Sequence, residues 1–184
     1  MRSGWRAVVA TGLAVAMAVA LAGCGLVGSS STLPTPAPTS TQSTALTSLS
    51  PTYPKKLTED AAKTETVRLA DAIQGLIAGP DIVNVDNTSK LVAATKSTGA
   101  YWGVLRVVTT SKGFDAIAQA TAMEKLLVAA GWSERQTTAP TDSYAALLSS
   151  THNGEVSLLL LRADASAAAS PVVLIQLESP DLPK

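Results

Sequence analysis

The dipeptide Asn153-Gly154 constrains the fold of this chain more than any other feature. It separates two runs, Tyr144 to Thr151 and Glu155 to Ala163, that are rich in Leu, Val and hydroxyl residues. A two-residue hairpin loop of type I′ needs positive φ at both central positions, and Asn-Gly is the pair that accepts this most readily. A loop of that length sets the register: His152 opposite Glu155, Ser149 opposite Leu158 and Leu147 opposite Leu160. The chain therefore contains an antiparallel hairpin. Its two faces are both apolar, with Leu147, Val156, Leu158 and Leu160 on one and Tyr144, Leu148, Leu159 and Leu161 on the other. A sheet covered on one side only would alternate more cleanly.

Two helices accompany the hairpin. Thr58 is placed to cap the first, with Glu59 and Asp60 in the opening turn where the helix dipole favours acids. Ala62, Leu69, Ile73, Leu76 and Ile77 form its apolar stripe, and Gly79-Pro80 marks its end. The second runs from about Phe114 to Ala130, with Ala116, Ala120, Met123, Leu127 and Ala130 on one side. Gly131 suits the left-handed residue that closes a helix, and Trp132 can fold back on the last turn.

Further strands are expected at Ile82–Asp86, Tyr101–Thr110 and Val172–Leu177, while residues 86–99 carry no clear pattern. The order is then α-β-β-α-β-β-β. This is an α+β fold of two layers, a mostly antiparallel sheet with two helices packed on one face. In Tyr101–Thr110, Leu105 and Val107 are assigned to the core. Trp102, Val104 and Val108 lie on the other side together with Arg106, so that side is expected to reach solvent and to offer a surface for a partner.

The N-terminal part sets the location. Arg2 and Arg6 precede an apolar run from Ala7 to Ala20, which has the order of an export signal and is short for a membrane span. Leu21-Ala22-Gly23-Cys24 follows and resembles the lipobox of bacterial lipoproteins. The resemblance implies cleavage after Gly23 and a diacylglyceryl cysteine at Cys24, the only cysteine of the chain. It makes residues 1–23 a lipoprotein signal peptide. Residues 24–57, with Thr32-Leu33-Pro34-Thr35-Pro36-Ala37-Pro38, read as a lipidated cysteine and a disordered Ser/Thr/Pro tether. Such a tether spans ~30 Å as a coil and up to ~90 Å when extended. Its composition is also that of O-glycosylated stalks. Residues 58–184 form a single domain.

Together with Tyr101-Trp102-Gly103 and Ala130-Gly131-Trp132, the lipobox and tether make the chain similar to small actinobacterial lipoproteins of the mycobacterial type. That resemblance implies an exported protein held by lipid, palmitate among the acyl chains, on the outer face of the cytoplasmic membrane.

Most chemistries find little support. The charges balance at 14 basic and 14 acidic residues, and loss of the signal removes Arg2 and Arg6. A nucleic-acid partner is not expected, since it would need a basic footprint. Gly23-Cys24-Gly25-Leu26-Val27-Gly28 matches the spacing of a dinucleotide loop but lacks a strand before it and a helix after it. His152, the one histidine, sits beside the hairpin turn, and a triad of Ser150, His152 and Asp164 lacks a nucleophile elbow. Asn87-Thr88-Ser89 has the glycosylation pattern, which carries little weight in a bacterial lipoprotein. The expectation is a non-enzymatic envelope protein without cofactor, metal or catalytic residue. Its partners are the membrane, through the lipid on Cys24, and an envelope protein that it binds or scaffolds. The alternative is a carrier or sensor of a small apolar ligand or lipid, held between the sheet and the helices.

Overall fold

Asn153 and Gly154 adopt φ of 54° and 86°, so the type I′ loop forms and the hairpin takes the expected register, with His152, Ser149 and Leu147 opposite Glu155, Leu158 and Leu160. The computed structural model describes residues 46–93, 99–167 and 170–183. Cys24, Gly23 and the Gly23–Gly28 pattern lie outside the described residues.

The elements in order are α1 (Glu59–Gln74), β1 (Ile82–Ala93), β2 (Ala100–Thr110), α2 (Ala116–Ala129), β3 (Ser133–Thr138), β4 (Ser143–His152), β5 (Glu155–Asp164) and β6 (Val172–Glu178). The six strands make one sheet in the order β1-β2-β6-β5-β4-β3. Every neighbouring pair is antiparallel. The fold is thus α+β with an antiparallel sheet. Its order is α-β-β-α-β-β-β-β, one strand more than the sequence pattern indicates. The additional strand, β3, occupies what reads as a Thr/Pro loop. β1 runs through the stretch 86–93 that carries no pattern. The last strand, β6, inserts between β2 and β5 and joins the β1-β2 hairpin to the β3-to-β5 meander.

Both helices start as their sequences dictate. Thr58 Oγ1 accepts the Ala61 N–H at 3.3 Å, and Asp115 Oδ1 accepts the Ala118 N–H at 2.9 Å. α1 ends earlier than expected, at Gln74 with Gly75 as its cap, and Gly79-Pro80 opens a separate 3₁₀ turn. α2 closes through Gly131 at φ 97°, and the Trp132 N–H donates back to the Leu127 carbonyl at 3.0 Å.

Residues 46–57 do not behave as a tether. Leu49, Tyr53 and Leu57 are buried in the core. Trp132 Nε1 donates to the Leu49 carbonyl at 2.8 Å, and Ser50 Oγ donates to the Ala130 carbonyl at 2.7 Å. Arg68 donates to the carbonyls of Ser48 and Ser50 at 2.7 and 2.9 Å. The packed domain therefore begins at least as early as residue 46, not at Thr58.

Alternation along the strands decides which side is the core. Val104, Leu177, Leu159 and Leu148 lie side by side across four strands, and all are buried. The next row of that side holds Arg106 and Ile175, and the one beyond it Val108 and Val173, Ala163 and Tyr144. Asp71 of α1 pairs with Arg106, and Glu124 of α2 accepts the Tyr144 hydroxyl. Helix side chains thus meet this one side of the sheet, where Leu69, Ile73, Met123, Leu127 and Trp132 fill the layer.

Candidate functional site: the open face of the sheet

The opposite side of the sheet carries Leu105, Val107, Leu147, Leu158, Leu160 and Leu174. Register places them together: Leu105, Gln176, Leu160 and Leu147 form one row across β2, β6, β5 and β4. Val107, Leu174, Arg162 and Ala145 form the next. Each of the six apolar side chains is half-buried, and none belongs to the core or packs on it. Val156 of the same face is 43% exposed.

Polar residues frame this surface. Arg135 sits at a break in the β3–β4 register and donates to Ser149 Oγ at 2.6 Å. Lys90, Glu178 and Asp164 stand around the apolar rows, and Arg162 lies within one of them. A face of half-buried apolar side chains with charges at its margin is the candidate site of this domain.

The face is not flat. Gly103 leaves a dip of about 410 Å³ bordered by Lys90, Val92, Tyr101, Leu105 and Glu178. A Cβ at Gly103 would stand 3.2 Å from Val92 Cγ2, so any side chain there would crowd the dip. A second dip of about 390 Å³ lies between Tyr101, Val156, Leu158 and Asp181. Tyr101 borders both. Burial, followed by the charges of Glu178 and Asp181, pushes its phenol above the ordinary value, so it stays a neutral hydrogen-bond donor.

The surface inferred from sequence lies on the wrong side. Trp102, Val104 and Val108 are 8%, 2% and 0% exposed, on the side that meets the helices. Leu105 and Val107, assigned to the core, belong to the open face. Arg106 explains the inversion. It lies on the Trp102 side as expected, yet is only 8% exposed, because its guanidinium reaches Asp71 at the helix margin while its stem is buried. The signal that would have identified the open face is Gln176 and Glu178 on β6. They become informative only once β6 is known to lie beside β2, a pairing of strands far apart in sequence.

The considered triad does not assemble. Ser150 is buried near the hairpin, and Asp164 pairs with Ser143 at the far end of β5 from His152. Asp164 lies nine positions along β5 from Glu155, roughly 30 Å away. Among the described residues no group of three or more His, Cys, Asp or Glu is arranged to hold a metal, and no helix is long and apolar enough to cross a membrane. No protein-family model matches the chain, and no curated protein is significantly similar to it.

Proposed function

We propose that this protein is a lipid-anchored, non-enzymatic domain of the cell envelope that binds a partner through the open face of its sheet. The observation that carries the proposal is a set of six apolar side chains sharing one face, left uncovered by either helix. In a domain whose other side is fully packed, such a face takes no part in the core of the described residues. The lipobox-like Leu21–Cys24 would hold the domain at the outer face of the cytoplasmic membrane, where the face meets other envelope components. Two or three acyl chains on Cys24 make such an anchor durable.

A carrier of an apolar ligand is the weaker reading. The layer between sheet and helices is occupied by Trp132, Leu69, Met123 and Leu127, each at most 2% exposed. A small ligand would instead have to lie in shallow surface dips, such as those beside Tyr101 or the one of about 550 Å³ between Leu57, Leu91, Ala100 and Leu182.

The test combines anchoring with the face. Cys24→Ala should release the protein from membranes and remove the cleaved, lipidated species. Leu174→Glu should leave thermal unfolding within a few degrees of the parent, as for partly exposed sites, while the membrane-extracted complex falls to the mass of the free protein on native gels. A Leu174→Glu protein that keeps its complex contradicts the proposal.

A further inference from the structure

β1 is an edge strand of unusual length for an exposed position. It spans Ile82–Ala93, pairs only with β2 among the described strands, and is exposed at most positions. From Asn84 to Ala93 its ladder with β2 runs without a break, and it contains no proline. Its outer side therefore presents a straight row of backbone donors and acceptors, the template on which another strand adds. The other edge differs. β3 has six residues, and its register breaks between Glu134 and Gln136, a device that blunts an edge.

The residues of β1 are ordered symmetrically about Thr88. On either side stand a polar residue (Asn87, Ser89), a charge of opposite sign (Asp86, Lys90) and an apolar residue (Val85, Leu91). Leu91 is 44% exposed. We propose that two copies of this chain pair antiparallel through β1, about a two-fold axis at Thr88, so that Asp86 of each copy faces Lys90 of the other. Residues opposite one another in an antiparallel pair share a face. This register sets Val85 against Leu91 on the helix side. On the open side it sets Thr88 against Thr88 and forms the two ion pairs.

Charge complementarity selects the register. An axis at Asp86 or at Lys90 opposes like charges. An axis at Asn87 sets Asp86 against Thr88 and Lys90 against Asn84, and one at Ser89 sets Asp86 against Val92 and Lys90 against Thr88. Only the axis at Thr88 pairs both charges, and it does so twice. The product is a continuous sheet of two copies. The two-fold runs perpendicular to that sheet, so both open faces lie on the same side and form one enlarged surface. The dimer does not depend on what that surface binds.

The experiment uses the full chain in detergent, with native mass spectrometry or sedimentation across a concentration series. Asp86 and Lys90 are exposed, so exchanging them leaves the fold intact. Asp86→Lys and Lys90→Asp should each weaken dimerisation by roughly tenfold or more, because each places two like-charge pairs across the axis. The double variant Asp86→Lys/Lys90→Asp should return to within about threefold of the parent, since both ion pairs are restored with reversed sign. A parent chain that stays monomeric at about 100 μM overturns the proposal. So does a dimer insensitive to the single exchanges, or one that the double exchange fails to rescue.

Discussion

Arg106 places a cation on the buried side of β2, and its surroundings show how a single residue can misdirect a reading of sides. Its Nη2 pairs with Asp71, while its Nε is buried without a partner among the described residues. Asp71 itself is 61% exposed at the side chain, so the ion pair sits at the margin of the core. The neighbours two residues away on either side, Val104 and Val108, are fully packed. Val104→Glu should therefore abolish folding or destabilise it by at least ~4 kcal/mol, because an unpaired carboxylate would enter an apolar layer. Leu105→Ala should lose only about 1–2 kcal/mol, below the range of a full core truncation, since that side chain is half-exposed already. Thermal and denaturant melts of the two variants decide the sides of β2. Equal losses would mean that both sides are core.

At the scale of elements, the segment 46–57 is held by a polar clasp. Glu65 Oε1 accepts the Thr52 N–H at 2.6 Å and its hydroxyl at 2.9 Å, and Arg68 donates to both Glu65 oxygens at 2.7 Å. Burial alone, the largest influence, would raise the Glu65 carboxyl. The Arg68 guanidinium and the Thr52 donors together outweigh it and hold the group below its ordinary value. A carboxyl depressed in the folded state stabilises the protein above its unfolded pKa, and that contribution is lost as pH falls through the folded value. Glu65→Gln should thus lower stability by about 1–2 kcal/mol near neutrality, a figure kept small because Arg68 is partly exposed. The gap to the parent should close below roughly pH 4. A gap independent of pH would show that the charge of Glu65 contributes nothing to the clasp.

Legibility in the sequence follows burial. The hairpin and both helix starts were readable because Asn-Gly, capping residues and apolar stripes act locally. β3 and the second half of β1 were not, because edge strands exposed on both sides show no alternation: Asn87, Thr88, Ser89 and Lys90 carry no pattern until β2 pairs with them. Leu49, Tyr53 and Leu57 recur every four residues, but their Ser, Thr and Pro neighbours conceal that spacing. The open face was concealed by topology, since the pairing of β2 with β6 brings its rows together across about seventy residues of chain.

At the scale of the molecule, the sheet separates two environments. One side anchors α1, α2 and the segment 46–57. The other leaves Leu105, Leu160, Leu174 and their neighbours outside the core formed by the described residues. Site-specific photocrosslinking on intact membranes tests this division most directly. A benzophenone amino acid at Leu160 of the full chain should yield an adduct of defined mass. The same probe at Lys125, exposed on α2, should yield none. A Leu160 probe that captures nothing, or a Lys125 probe that captures the same species, would contradict the assignment of function to the open face.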